Sequence, residues 1–283
     1  MKRFSRKVRQ MILEFRCELS SRFSRKNGVG AARNKRPVIV SLTTTPERLG
    51  KVHIAVECLL GQTRQPDKLV LWLSEGLKNK ILPLSLRNQT CRGLEVQFVE
   101  DIGPHTKAIY ALKHFADWRV VTADDDALYP RDWLRDLAAA HEREPDCVTC
   151  HRAHRMIVDK NNGTLRPYTQ WDLLARGHAA PSMLLFPTGV GGVLYPPGTL
   201  HPEVFNQTVF RQICPTADDV WFKAMSLLQG ARCQKVRPFS AELPLVRGTQ
   251  QNALGRKNFG GGLNNVYIRA VFERYGLYHR LAG

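Results

Sequence analysis

Short runs of β-branched and aliphatic residues recur along this chain, each followed by a stretch with helical spacing. That alternation limits the fold more than any other feature. Val38–Thr43 (VIVSLT), Lys68–Leu73 (KLVLWL), Leu94–Val99 (LEVQFV) and Arg119–Ala123 read as strands. Glu47–Leu60, with Pro46 at its start, His105–Phe115 and Pro130–His141 read as helices. Cys147–Met156 is predicted as a further strand, Ala217–Leu228 as a late helix, Cys233–Arg237 as a strand, and the tail from Gly248 as loop and then helix. Residues 157–205 are rich in Gly and Pro and have no regular period. The β-α-β order implies a Rossmann-like α/β domain with a mostly parallel central sheet and helices on both faces. The 283 residues suffice for one such domain with a substantial core, predicted over 37–283.

The net charge of +17 is unevenly placed, since residues 1–36 carry twelve Lys or Arg against two Glu. Within that segment Val8, Met11, Ile12, Phe15, Leu19 and Phe23 recur at helical spacing, with Arg9, Arg16 and Arg22 between them. This is the pattern of a basic amphipathic helix lying on an anionic membrane surface. Two other readings stand beside it: a helix packing its apolar stripe on the domain, and a basic arm for nucleic acid. Asn27–Arg36 reads as a linker. No apolar run approaches the roughly 20 residues needed to span a bilayer, and the N-terminus lacks a secretory pattern. The expected location is the cytoplasm, at the inner face of the membrane. Seven scattered cysteines suit reduced thiols in a reducing compartment. The Cys147-x-x-Cys150 pair has no second pair at zinc spacing, so it reads as two thiols on a buried strand.

Against this basic background three aspartates stand together, Asp124, Asp125 and Asp126, at the end of the apolar strand Arg119–Ala123. Ligands of α/β sheets bind at the carboxyl ends of parallel strands, so these carboxylates are expected to face that crevice. Successive residues leaving a strand alternate in direction, so Asp124 and Asp126 can share a face. Clustered carboxylates raise one another's pKa, and a divalent cation would relieve them. Hard oxygen ligands point to Mg²⁺ or Mn²⁺, held by one or two carboxylates with substrate phosphates. The bland alternative is a helix cap or a solvated turn. Asp218 and Asp219 open the late helix, where carboxylates suit the macrodipole, yet the Val-Trp-Phe that follows gives them a buried wall.

Taken in order, VSLTTTPERLG (40–50), DIGPHTKAIYAL (101–112), VVTADDDALYPRDW (120–133), GVGGVLYPP (189–197) and TADDVWFKAM (216–225) resemble the motifs of GT-A fold nucleotide-sugar glycosyltransferases. The likeness is to the family 2-like bacterial group that builds surface polysaccharide, and it covers roughly 37–230. It implies a nucleotide-binding half over about 37–130 and an acceptor-side half over about 131–283. It also implies a nucleotide-sugar donor, expected to be UDP-linked, and a glycan or lipid-linked acceptor. In this reading Thr43, Thr45, Arg48, Lys107, Asp124 and Asp125 serve the nucleotide, and Asp124–Asp126 form the DXD motif. Asp124 contacts ribose or the metal shell, and Asp126 ligates Mn²⁺ or Mg²⁺. Gly191 and Gly192 let sugar or diphosphate approach the backbone. Asp219, with Asp218 as the near alternative, takes the proton from the acceptor hydroxyl in an inverting reaction. A sugar-nucleotide nucleotidyltransferase is the runner-up, but TTTPERLG lacks its Gly-rich loop. The third reading, a non-catalytic basic protein binding lipid or nucleic acid, gives Asp126 no role. No nucleic-acid partner is expected.

Overall fold

The computed structural model describes residues 2–30, 36–240, 242–251, 258 and 260–281, and side chains from residue 7 onward. In chain order the elements are α1 (Lys2–Phe23), β1 (Val38–Thr43), α2 (Val52–Leu60), β2 (Lys68–Ser74), α3 (Leu84–Thr90), β3 (Leu94–Val99), α4 (Thr106–His114) and β4 (Arg119–Thr122). Then follow α5 (Trp133–Arg143), β5 (Val148–Cys150), β6 (Ala153–Arg155), β7 (Leu185–Pro187), β8 (Val193–Tyr195), α6 (Gln207–Ile213), α7 (Asp218–Gln229), β9 (Cys233–Lys235) and α8 (Leu263–Tyr275).

Seven strands form one sheet in the order β3-β2-β1-β4-β8-β5-β9. All neighbours pair in parallel except β8, which runs antiparallel to both β4 and β5. The mostly parallel α/β sheet with flanking helices is the architecture expected from the βαβ rhythm. Val38, Ile39, Val40, Leu42, Leu69, Leu71, Val120 and Val121 are buried, as strands covered on both faces require. β6 and β7 form a separate antiparallel ribbon.

Three expectations about elements need correction. The helix expected from Glu47 begins at Val52, because residues 46–51 turn to bring Arg48 toward the aspartates. The strand expected over Cys147–Met156 is two strands: β5 pairs in the main sheet, and β6 leaves it to pair with β7. The irregular stretch 157–205 contains β7 and β8, and α3 and α6 are short helices that the periodicity does not signal. The reversal into β8 needs glycine at 192, with φ of +86° and an added Cβ only 2.3 Å from the Trp133 ring. Trp133 Nε1 donates to Gly191 O at 2.8 Å from the other side of that turn. All seven cysteines are free, and Cys147 and Cys150 are buried thiols as expected.

α1 packs on α2 and α3 with its polar face. Glu14, Cys17 and Ser21 are buried, while Val8, Met11, Ile12, Phe15, Leu19 and Phe23 are all exposed, Phe15 at 63% and Phe23 at 75%. The alternative in which the apolar stripe packs on the domain is therefore not the arrangement seen, since the polar face turns inward. The polar face is held by specific bonds: Ser20 Oγ donates to Glu57 at 2.6 Å, and His53 Nε2 lies 2.6 Å from Glu18. Glu57 is itself buried and paired with both terminal nitrogens of Arg92, at 2.7 and 2.9 Å. Arg92 Nε in turn donates to Lys26 O at 2.9 Å, which anchors the chain just past α1. Of the expected linker Asn27–Arg36, residues 31–35 lie outside the described residues. Among the described residues no helix is long and apolar enough to cross a membrane.

Candidate active site

β1 and β4 are parallel neighbours, with Ser41 opposite Thr122. Their carboxyl ends therefore deliver Thr43–Thr45 and Asp124–Asp126 side by side, the position α/β sheets offer to ligands. Three other segments converge there. The first turn of α4 supplies Lys107, whose carbonyl accepts a hydrogen bond from Ser41 Oγ. The start of α7 supplies Asp218 and Asp219. The turn between β7 and β8 supplies Gly189. Together they line a cavity of about 950 Å³ that also takes in Arg152, His154, Tyr168 and Phe186 from the β6–β7 side.

Charge organises this cavity. Lys107 Nζ donates to Asp124 Oδ1 at 2.7 Å and lies 3.1 Å from Asp218 Oδ2. Burial would discharge Lys107, but Asp124 and Asp218 outweigh it and hold its pKa well above the ordinary value. Arg48 Nη1 is 2.8 Å from Asp125 Oδ1 and 3.1 Å from Asp126 Oδ2. Its Nη2 donates to Thr249 O at 2.8 Å. Thr44 Oγ1 donates to Asp125 Oδ2 at 2.5 Å. Among the described residues these two cations pair with four of the five aspartates, and Asp219 has no ion pair. Burial, then the charges of Asp124 and Asp125, push Asp126 up to about 6. Burial and then Asp218 push Asp219 up to about 7. Gly189 N–H donates to both carboxylate oxygens of Asp219, at 2.9 and 3.1 Å, and fixes its orientation.

Thr43, Thr45, Arg48, Lys107, Asp124, Asp125, Asp126, Asp218 and Asp219 all line the cavity. Their partners refine what was expected of them. Thr43 Oγ1 donates back to Trp72 O at 2.9 Å. Arg48 and Lys107 are engaged by carboxylates instead of standing free for a nucleotide. Gly191 and Gly192 do not line the cavity: an added Cβ at Gly191 would meet Arg152 Cβ at 2.7 Å, and Gly192 abuts Trp133. The glycine that faces the site is Gly189, where an added Cβ would lie 3.0 Å from both Asp219 Oδ1 and Lys107 Nζ.

Sequence reasoning missed a strap formed by residues 244–251. Ala127 bridges to Leu245, and Val246 N–H donates to Asp126 O at 2.7 Å. Gln250 Nε2 then donates to Asp126 Oδ2, also at 2.7 Å. The strap's outer side is held by α1, where Gln10 donates to Leu245 O and Glu14 pairs with Arg247 at 2.6 Å. No local motif marks this segment, because its role is set by contacts more than a hundred residues away in sequence.

Among the described residues no group of three or more His, Cys, Asp or Glu side chains is arranged as a cation cage. Asp124, Asp125 and Asp126 each already face Lys107, Arg48 or Gln250. The protein alone would offer a cation one or two carboxylates, the set on which Mg²⁺ or Mn²⁺ is held jointly with substrate phosphates. The residues present fit such a shared site, and Asp126, whose pKa burial and the neighbouring aspartates raise to about 6, belongs to it.

This is an α/β protein with an acidic cleft at the carboxyl ends of its parallel strands. No protein-family model matches the chain, and no curated protein matches it. Among solved structures it is similar to S. aureus TarS 1-349, at 15% identity and a TM-score of 0.44, over 70% of this chain and 57% of that one. It is similar to the same protein in complex with UDP at 15% identity and a TM-score of 0.45, with the same coverage. A third likeness is to 4-diphosphocytidyl-2C-methyl-D-erythritol synthase, at 12% identity and a TM-score of 0.44, over 79% of this chain and 98% of that one. The chain thus spans little more than half the length of the first two structures.

The raised carboxylates have a thermodynamic signature. A carboxyl whose folded pKa exceeds its unfolded value contributes stability that is complete below the unfolded pKa and is lost as pH rises through the folded one. For Asp126 and Asp219 those folded values are about 6 and about 7. The ligand-free protein is therefore expected to lose melting temperature between about pH 4 and pH 7. The Asp126→Asn/Asp219→Asn variant should lose markedly less. Differential scanning fluorimetry over that range checks this, and equal slopes would contradict it.

Proposed function

We propose that the protein is a metal-dependent, inverting glycosyltransferase. It would move a sugar from a nucleotide-sugar, UDP-linked in this reading, to a hydroxyl of a lipid-linked or polysaccharide acceptor in bacterial surface glycan synthesis. The observation that carries the proposal is that one cavity holds both halves of the required chemistry. The Asp124–Asp126 cluster lies at the end of β4, and Asp219, pushed up to about 7, lies at the start of α7. The cavity volume falls at the upper end of the roughly 300–1,000 Å³ typical of small-molecule sites.

In this reading a divalent cation at Asp126 and Asp124, when bound, neutralises the diphosphate leaving group. Thr43, Thr44 and Thr45 flank the nucleotide, and Arg48 sets the orientation of Asp125 and Asp126. Lys107 faces the cavity between Asp124 and Asp218, where it adds positive charge beside the departing diphosphate. Asp219, oriented by Gly189 N–H, accepts the proton of the acceptor hydroxyl as its oxygen attacks the anomeric carbon. The bond from that carbon to the diphosphate oxygen breaks, and the electron pair leaves with the diphosphate. A base with a pKa near the working pH is well matched to this task. The runner-up, nucleotidyl transfer, has an already ionised phosphate as its attacking group, which leaves Asp219 with no proton to take.

The outward face of α1 supports a membrane partner. Val8, Met11, Ile12, Phe15, Leu19 and Phe23 form an exposed stripe. At 100° per residue, Arg9 and Arg16 fall along one edge of it and Lys7 and Arg22 along the other. An apolar stripe between basic edges is complementary to an anionic bilayer surface, where each basic residue contributes on the order of 1 kcal/mol. The proposed location is therefore peripheral, on the inner face of the cytoplasmic membrane, within reach of lipid-linked acceptors.

Two measurements check these readings. Titration calorimetry with UDP is expected to give Mn²⁺-dependent binding to the wild type, and Asp126→Asn should abolish the metal-dependent part while keeping the fold. Unchanged metal-dependent affinity in the variant would remove Asp126 from the ligand set. In co-sedimentation, the wild type should bind phosphatidylglycerol vesicles at low salt and release them at high salt. The Ile12→Glu/Phe15→Glu variant, altered only at exposed positions, should fail to bind. Equal binding by both proteins would move the membrane contact away from α1.

A further inference from the structure

Three basic side chains among the described residues line the cavity, and they differ in what holds them. Arg48 is committed to Asp125 and Asp126, and Lys107 to Asp124 and Asp218. Arg152 forms no ion pair among the described residues. It is half-buried on the short link between β5 and β6, where the chain leaves the main sheet, and its one side-chain bond runs from Nη1 to Thr188 Oγ1 at 2.7 Å. Its stem is fixed. Thr188 N–H donates to Arg152 O at 3.0 Å, and Gly191 packs so closely that an added Cβ would lie 2.7 Å from Arg152 Cβ.

The wall around it is neutral and aromatic. His154 is held uncharged by burial and by Arg152 itself, its pKa lowered to about 3, and its Nδ1 accepts from Leu174 N–H at 2.9 Å. Tyr168 meets His154 and Phe186 edge-on, with centroids 5.5 and 5.9 Å apart. Leu173 and Leu174 complete this side of the cavity. A guanidinium offers five N–H donors in a planar fork suited to a carboxylate or phosphate. Among the described residues no carboxylate is within ion-pair distance of it, so its fork is open to an anionic group of a ligand.

That anion could belong to the donor's diphosphate or to the second substrate. The diphosphate is placed, in the reading above, at the β1–β4 wall beside Asp124–Asp126. Arg152 enters the cavity from the β6–β7 side, bonded to Thr188, and Tyr168 lies within electrostatic reach of both Arg152 and the base Asp219. We infer that Arg152 binds an anionic group of the acceptor, so that the acceptor is an acidic glycan bearing a carboxylate or phosphate near the hydroxyl that attacks. The aromatic wall would then take the apolar face of the same sugar ring. This assignment rests on the glycosyltransferase reading for which substrate enters from that side.

Methyl glucuronide, glucose 6-phosphate and neutral methyl glucoside serve as probes for titration by ligand-observed NMR, and UDP with Mn²⁺ is measured separately by calorimetry. The wild type should bind at least one acidic sugar about tenfold more tightly than the neutral one, the discrimination expected of a charge-assisted hydrogen bond. Arg152→Gln should lose that preference and Arg152→Lys should keep part of it, both with unchanged melting temperature and UDP affinity. Equal binding of acidic and neutral sugars by the wild type, or no binding of either acid at tens of millimolar, overturns the inference. So does a preference that survives Arg152→Gln. A loss of UDP affinity in Arg152→Gln would instead assign the arginine to the diphosphate and also overturn it. If the wild type fails to bind UDP at all, the donor assignment falls, while the comparison of acidic with neutral sugars still stands by itself.

Discussion

Lys107 ties together segments that the chain delivers from distant places. Its ammonium sits between Asp124 at the end of β4 and Asp218 at the start of α7, and its own carbonyl is held by Ser41 of β1. The β1–β4 side and the α7 side of the cavity are thereby fixed relative to one another around a single buried charge. Removing one partner of such a buried pair typically costs about 3–5 kcal/mol, because the other charge is left without compensation. The arrangement stabilises less than it specifies. It sets five carboxylates close enough to perturb one another, and burial together with that mutual repulsion raises the pKa values of Asp126 and Asp219.

The N-terminal helix extends this organisation to the surface. Its inward face is polar, and Gln10 and Glu14 hold the strap that carries Gln250 to Asp126. Its outward face is apolar between basic edges. A helix that used its apolar face for internal packing would have no means of meeting lipid. This one leaves that face free, because Glu14, Cys17 and Ser20 find polar and thiol partners on the domain. The exposed apolar stripe and the support of the strap thus lie on opposite sides of one helix.

Much of this was legible in the sequence, and the exceptions have physical causes. The strands β1, β2, β3 and β4 announce themselves by apolar runs, and their parallel order puts Asp124–Asp126 at the carboxyl edge of the sheet. The cavity also gathers Lys107, Arg48 and Asp219, which are distant in sequence. Periodicity cannot say which face of α1 turns inward, since a polar face with matched partners competes with an apolar stripe. Paired glycines signal a close approach but not to what, and here Gly191 and Gly192 approach Arg152 and Trp133. The strap has no period and no motif, and its bonds to Asp126 and Glu14 exist only in the folded chain.

Proton transfer to Asp219 is the step on which the proposed chemistry turns, and single-turnover transfer measured against pH tests it most directly. The wild-type rate should rise with pH through about 7, as the carboxylate ionises. Asp219→Asn should bind the donor as the wild type does and transfer about 10²–10⁴-fold more slowly, with that pH dependence gone. An Asp219→Asn protein that keeps its rate, with the loss appearing in Asp218→Asn instead, would contradict the assignment.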